Sequence, residues 1–241
     1  MAGLPIIAAP SPNFDRRRSP IDMLILHYTG MPTGAEALAR LRDPTAKVSA
    51  HYLIEEDGRV FALVDEAARA WHAGVARWRG DDDINSRSIG IELVNPGHDW
   101  GYRPFPAPQM AALERLCADI STRHPVPPRH VLGHSDVAPA RKQDPGPLFD
   151  WARLARRGIG LWADPAFGQD ALLDEVQRRR FADALAAFGY DMAAAKDNDS
   201  AAAAVVRAFH SHYRPQAADW PADRMSLALI EALLARASAG G

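Results

Sequence analysis

The chain has 241 residues, of which 47% are hydrophobic and 24% charged, and its formal net charge is -2. These values are ordinary for a globular protein with a sizeable core. Lysine and arginine form no long run, and no apolar run approaches the ~20 residues that span a bilayer, so we expect neither nucleic acid nor a membrane as a partner. The single cysteine, Cys117, excludes an internal disulfide, and its place on an apolar helical stripe indicates a small buried hydrophobe.

The first 20 residues are rich in proline and contain three consecutive arginines at positions 16–18. This composition predicts an extended, solvated lead-in over residues 1–20. The segment lacks the basic start and the apolar core of an export signal, so we expect a cytoplasmic protein. A periplasmic protein from which a leader has been removed is the alternative.

Strand and helix patterns alternate over residues 21–158, which indicates an α/β domain. Apolar runs predict strands at 23–26, 49–54, 60–63, 88–95 and 129–132, and helical spacing predicts helices at 34–41 and 108–122. Asp57-Gly58 stands between two apolar runs and predicts a hairpin. Residues 159–168 are expected to be a linker. Helical patterns at about 169–188, 200–213 and 222–237 then predict a small three-helix domain over 169–241.

Residues 133–147 contain three prolines and two glycines, so this stretch cannot be helix or strand throughout and is expected to be an ordered loop. The apolar pair before it places His134 at the mouth of a strand. Asp150 is expected to cap the helix that follows. Asp136 is expected to stabilise the loop rather than bind a ligand.

Three side chains could supply the protein ligands of a catalytic zinc ion. His27 ends the first buried strand, His134 opens the loop and Asp144 lies within it. They are far apart in sequence, so the fold would have to bring them together. Glu92 interrupts an apolar strand, and such a carboxylate is rare unless it is paired or functional. A glutamate on an edge strand that faces water is the alternative reading.

Four segments carry a family resemblance: Leu26-His27-Tyr28-Thr29, Ser49-Ala50-His51-Tyr52, Ser88 to Leu93, and above all Gly133-His134-Ser135-Asp136-Val137-Ala138-Pro139 with Arg141 to Pro147. In this order they resemble the zinc-dependent N-acetylmuramoyl-L-alanine amidases, the family that includes AmpD, AmiD, phage-type amidases and peptidoglycan recognition proteins. The resemblance covers roughly residues 20–155. It implies a mixed central β-sheet flanked by helices.

The resemblance also implies roles for individual residues. His27, His134 and Asp144 would bind one Zn²⁺, Glu92 would be the general base, and Lys142 would stabilise the oxyanion. Phage-type members carry a catalytic tyrosine where this chain has Ala50, so proton transfer should fall to Glu92. His51, Trp71 and His72 are expected to line the substrate groove, with packing or support of the metal ligands as the alternative.

The C-terminal segment carries a second resemblance. Phe188-Gly189-Tyr190-Asp191 and Ala204 to Pro215 are similar to the three-helix peptidoglycan-binding domain of AmiD-like enzymes, although His210 stands where that motif has glutamine. The implied partners are therefore muropeptides or peptidoglycan.

The implied reaction is hydrolysis of the amide between N-acetylmuramic acid, or its 1,6-anhydro form, and L-alanine. We favour cytoplasmic recycling of anhydro-muropeptides, with an envelope amidase acting on intact peptidoglycan as the alternative. A non-catalytic muropeptide-binding module would not need the full ligand set together with Glu92 and Lys142. A zinc peptidase or deacetylase is disfavoured because the helical His-Glu-x-x-His signature is absent.

Overall fold

The computed structural model describes residues 4–164, 171–193, 195–196 and 198–239. It divides into two compact units: the described residues of Met1–Gly74 with Asp83–Leu132, and those of Val75–Asp82 with Gly133–Gly241. Parts of the predicted lead-in (1–3), linker (165–168) and C-terminal domain (169–170, 194, 197 and 240–241) lie outside the described residues. The predicted domain boundaries stay a prediction. Among the described helices, none combines the length and apolarity needed to cross a bilayer.

Within the described residues, eight short strands form two sheets. They are β1 (Ile6–Ala8), β2 (Phe14–Arg16), β3 (Met23–Tyr28), β4 (Tyr52–Ile54), β5 (Val60–Ala62), β6 (Ala68–Ala70), β7 (Ser88–Leu93) and β8 (Val131–Gly133). The six-stranded sheet has the order β1-β5-β4-β7-β3-β8, and β2 pairs with β6 in a second sheet. Antiparallel β4 and β5 form the predicted hairpin, whereas β4, β7 and β3 run parallel. The predicted mixed sheet is confirmed.

The central strands β3 and β7 are almost continuously apolar, and the residues Met23 to Leu26 have no exposed surface. Strands that are covered on both faces show this pattern instead of an alternating one. Both central strands were predicted from the sequence. Their burial fixes the backbone that carries His27 and Glu92.

The N-terminal segment makes more contacts with the rest of the first unit than the sequence predicted. β1 extends the large sheet by parallel pairing with β5. The prediction of a solvated lead-in is wrong for Arg17, because its guanidinium is half-buried and donates to the carbonyl oxygens of Glu66, Asn85, Ser86, Ser88 and Ala68. Burial lowers the pKa of Arg17 to about 10. Without Arg17, these five backbone carbonyl groups would need other hydrogen-bond partners. The role of this arginine is therefore structural.

The helices of the first unit are α1 (Gly34–Arg42), α2 (Ile84–Arg87), α3 (Gly97–Trp100) and α4 (Ala107–Arg123). The Thr33 side chain caps α1 by accepting a hydrogen bond from the Glu36 amide. The amide of the buried Gln109 on α4 donates to the carbonyl oxygens of Ile54 and Val94 at 2.9 and 3.0 Å. Cys117 on the same helix is fully buried, and burial raises the pKa of its thiol to about 12. The prediction of an unreactive core cysteine therefore agrees with its position.

The second unit contains α5 (His134–Val137), α6 (Trp151–Ala155), α7 (Glu175–Phe188), α8 (Asp199–Tyr213) and α9 (Arg224–Ala239). The last three confirm the predicted helical C-terminal region. α7 begins later than expected, after a capping box in which Asp174 and Gln177 exchange hydrogen bonds. As predicted, Asp150 caps α6 by accepting a hydrogen bond from the Arg153 amide.

Aromatic side chains dominate the core of the second unit. Trp78 packs edge-on against Phe188 and Tyr190, with ring centroids 6.0 and 5.1 Å apart. Phe209 and Tyr213 of α8 pack on the same cluster. Each such ring buries a large apolar area, so the cluster fixes α7 and α8 with few residues.

Candidate metal centre and active site

Two predicted site residues lie side by side on the central strands. The register of β3 and β7 pairs His27 with Glu92. Register partners in neighbouring strands project from the same face of a sheet, so both side chains reach the same side. His27 is buried, with 1% of its surface exposed, and Glu92 is partly buried. The edge-strand reading of Glu92 does not apply, because β7 has a neighbour on each side.

His72 contacts the ring of His27. His27 Nε2 lies 3.1 Å from His72 Nδ1, and His72 Nε2 lies 3.2 Å from the Ser88 hydroxyl. Ser88 donates its own proton to the Ile84 carbonyl at 2.6 Å, so its oxygen accepts from His72 Nε2–H. With a neutral ring, His72 Nδ1 then accepts from His27 Nε2–H. This series of hydrogen bonds assigns the lone pair of His27 to Nδ1, so Nδ1 is the ring nitrogen that would bind a cation.

A glycine makes room for His72. A Cβ atom at residue 90 would overlap with the His72 ring. Real Cβ atoms do not approach other atoms so closely, so Gly90 allows the ring to lie against the strand. The hydrogen bonds of His72 favour the supporting role that was the alternative to substrate contact.

The loop 133–147 carries the other candidate ligands. His134 begins α5, and both His134 and Asp144 are buried, with 3% and 5% of their surfaces exposed. His134 Nδ1 lies 3.1 Å from Asp144 Oδ2, and the Ser135 amide donates to the Asp144 carbonyl at 2.9 Å. A Cβ atom at Gly133 would lie 2.7 Å from Pro145 Cδ. The loop therefore folds back closely on itself.

The three predicted metal ligands meet. One ligand atom from each of His27, His134 and Asp144 lies within 4.8 Å of the others, and all three residues are buried. Two imidazoles and one carboxylate form a donor set that suits a catalytic zinc ion and leaves a fourth position for water or substrate. Burying these groups together without a cation would be costly, so the chemistry of the set fits a metal.

Lys142 lies on the same loop as Asp144 and is exposed. Its backbone amide donates to the Ala138 carbonyl at 3.0 Å, which fixes the turn from which the side chain projects. The oxyanion role of Lys142 and the base role of Glu92 stay predictions.

His51 has no exposed surface. The Gly90 amide donates to its Nδ1 at 2.9 Å, and its Nε2 lies 3.2 Å from the Ala68 carbonyl. Burial, reinforced by the charge of Arg17, lowers the pKa of His51 to about 3. The expectation of substrate contact is therefore not supported for His51, because no surface is open to a ligand, and packing is its role. Trp71 is partly exposed, and substrate contact by Trp71 stays a prediction.

Sequence reasoning missed two residues that contact the metal loop. Asp136 is fully buried and accepts hydrogen bonds from the Gly133 amide, the Tyr190 hydroxyl and His212 Nδ1 at 2.7, 2.6 and 2.7 Å. The expected loop-stabilising role of Asp136 agrees with these contacts. Tyr190 and His212 both lie in the segments that resemble a peptidoglycan-binding domain, but that resemblance gave no sign of a contact with Asp136.

Comparison with known proteins places this site in a family. Residues 17–147 match the N-acetylmuramoyl-L-alanine amidase family. The chain is 37% identical to N-acetylmuramoyl-L-alanine amidase AmiD of Escherichia coli K12, over 89% of this chain and 82% of AmiD. It is 39% identical to 1,6-anhydro-N-acetylmuramyl-L-alanine amidase AmpD of the same organism, over 60% of this chain and 87% of AmpD.

Solved structures agree. The E. coli AmiD complex with anhydro-N-acetylmuramic acid-L-Ala-D-gamma-Glu-L-Lys superposes with a TM-score of 0.81 at 34% identity, covering 93% of this chain and 98% of AmiD. AmpDh3 of Pseudomonas aeruginosa gives 0.80 at 34% identity, covering 94% of each chain. The predicted enzyme class is confirmed, and the chain belongs to the family of N-acetylmuramoyl-L-alanine amidases.

Proposed function

We propose that the chain is a zinc-dependent amidase that cleaves the bond between 1,6-anhydro-N-acetylmuramic acid and the L-alanine of a soluble stem peptide. The observation that carries this proposal is the buried convergence of His27, His134 and Asp144 in a chain of this family. Zinc at such a site supplies Lewis acidity toward the scissile carbonyl and lowers the pKa of water toward ~7.

Glu92 is the proposed proton carrier. Its carboxylate projects from the same face of the sheet as His27. It would take a proton from the attacking water and deliver it to the nitrogen of the departing L-alanine. An amine leaves far more readily when protonated, so one carboxylate would serve both halves of the reaction.

Lys142 would face the oxygen that becomes negative as water adds to the carbonyl carbon. A fixed cation at that position binds the transition state more tightly than the neutral amide. The proline- and glycine-rich loop supports this role, because it holds the lysine backbone only two positions from Asp144.

The anhydro-muropeptide substrate is inferred from relatives. AmpD is named for the 1,6-anhydro substrate, and the AmiD structure holds an anhydro-muramyl tripeptide. Recycling of such fragments in the cytoplasm is the role we favour. The resemblance of the C-terminal segment to a peptidoglycan-binding domain favours action on intact peptidoglycan instead, and the similarity to AmiD covers 89% of this chain whereas that to AmpD covers 60%.

Hydrolysis by the purified, zinc-loaded protein tests the proposal. We expect release of free peptide from 1,6-anhydro-N-acetylmuramyl-tripeptide, detected by mass spectrometry, and much slower release from purified sacculi. Faster cleavage of sacculi would support the envelope role, and fractionation of the source cells would test the compartment. Binding of either substrate without cleavage, by protein of confirmed zinc content, would leave only the muropeptide-binding reading.

A further inference from the structure

Asp136 lies between the two candidate ligands of the metal loop, two positions after His134, and its side chain has no exposed surface. A buried carboxylate is stable only when its oxygens are hydrogen-bonded. Three donors meet this need, at distances between 2.6 and 2.7 Å. Two of them, Tyr190 and His212, come from the C-terminal helical region, 54 and 76 residues further along the chain.

Both distant donors are held rigidly. The Tyr190 ring packs edge-on against Trp78, with centroids 5.1 Å apart. The His212 ring stacks on Trp151 with centroids 3.6 Å apart and an interplanar angle of 17°. Ring packing on one side and a charge-assisted hydrogen bond on the other leave these side chains little freedom. The positions of the donors therefore determine the position of the Asp136 carboxylate.

The carboxylate in turn fixes the loop. Asp136 Oδ2 accepts from the Gly133 amide, immediately before His134. The Ser135 amide, immediately after His134, donates to the Asp144 carbonyl at 2.9 Å. A shift of Asp136 would therefore move the backbone on both sides of His134 and change its separation from Asp144.

We propose that Asp136 is a positioning residue for the metal site, and that Tyr190, two residues after α7, and His212 on α8 make the C-terminal region the scaffold of the metal loop. The C-terminal helices then have a role inside the catalytic machinery, whatever they bind. The metal-binding part of this inference rests on the proposed function. Its structural part, the order of the loop, does not.

The first test is Tyr190→Phe, which removes one hydroxyl and keeps the ring. The matched control is Tyr52→Phe, since the Tyr52 hydroxyl donates to Glu66 at 2.7 Å in the first unit. Partners of metal ligands typically contribute 10- to 100-fold to metal affinity, so we expect zinc to bind about 10-fold more weakly to Tyr190→Phe in a chelator competition. Tyr52→Phe should bind zinc as the wild type does.

Amide hydrogen exchange of the metal-free full-length protein provides a second readout. We expect Tyr190→Phe to accelerate exchange about 10-fold in peptides covering 133–144, and Tyr52→Phe to leave that segment unchanged. Unchanged exchange of 133–144 in Tyr190→Phe, or equal acceleration throughout the second unit, would overturn the proposal, because either result reduces Tyr190 to ordinary packing.

A double variant separates positioning from general stability. If Tyr190 acts through Asp136, the zinc affinity of Asp136→Asn combined with Tyr190→Phe should equal that of Asp136→Asn alone. Additive losses would contradict the inference. Zinc affinity that survives Asp144→Ala would refute the proposed metal site, and hydrogen exchange would still decide whether the scaffold exists.

Discussion

The strand-borne and loop-borne residues of the candidate site are held by different means. His27 and Glu92 lie on central strands, where backbone pairing and a continuous apolar core fix their positions. His134 and Asp144 lie on a loop without such a ladder, and contacts from Tyr190 and His212 hold it through Asp136. The backbone that carries a strand-borne ligand is therefore fixed by the neighbouring strands, whereas the backbone of the loop depends on a distant part of the chain.

The largest expected effect separates the proposed base, Glu92, from the proposed metal ligands, His27 and Asp144. We expect Glu92→Ala to lower the hydrolysis rate at least ~10³-fold while zinc stays bound, because Glu92 is the proposed base and not a ligand. His27→Ala and Asp144→Ala should lose both zinc and activity. Zinc content by atomic emission and peptide release separate the two outcomes. Near-normal turnover by Glu92→Ala would refute the base assignment.

A substitution of Lys142 tests the proposed oxyanion role of the loop. Removing one oxyanion-stabilising group typically lowers kcat ~10²–10³-fold, so Lys142→Ala should lose this much in kcat with little change in KM. The control is Gln143→Ala, since Gln143 is the next residue of the loop and is also exposed. A rise in KM at constant kcat would instead make Lys142 a substrate-binding residue.

Substitutions of His72 test how the strand-borne ligand His27 is oriented. His72→Ala removes the acceptor of the His27 Nε2 proton, and we expect zinc affinity to fall ~10- to 100-fold. His72→Gln, whose side-chain oxygen can accept the same hydrogen bond, should recover part of the loss. Chelator competition measures both variants. Wild-type affinity in His72→Ala would show that the strands orient His27 without help.

The smallest effect concerns the core behind the strands. The pKa of His51 is lowered from 6.5 to about 3 in the folded state. Between these two pH values, the histidine is protonated in the unfolded chain and neutral in the folded chain. This contribution to stability is complete above pH 6.5 and is lost as the pH falls toward 3. Between pH 6.5 and 5.5 it lowers the free energy of unfolding by about 1 kcal/mol.

Denaturant unfolding of the metal-free protein at the two pH values measures this loss. The variant His51→Gln should have a flatter pH dependence, and His98→Gln, which changes an exposed histidine, should match the wild type. An unchanged slope in His51→Gln would exclude His51 as the titrating group.

Local patterns were sufficient to predict the central strands, the β4–β5 hairpin and the three C-terminal helices, because apolar periodicity and capping residues act over a few positions. They were not sufficient for β1, whose pairing with β5 depends on a partner more than 50 residues away. They also failed for Arg17, whose burial depends on carbonyl groups brought together by the fold.

The sequence by itself determined the enzyme family of this protein and its candidate site residues: two histidines, one aspartate, Glu92 and Lys142, in an order that resembles one amidase family. Only the tertiary structure decided that the three candidate ligands meet, that His51 is enclosed in the core, and that Tyr190 and His212 hold the loop through Asp136. The physical reason is the distance along the chain over which each kind of interaction acts. Side-chain chemistry and local periodicity depend only on residues that are close in sequence. Burial and hydrogen bonding depend on which distant residues the folded chain brings together.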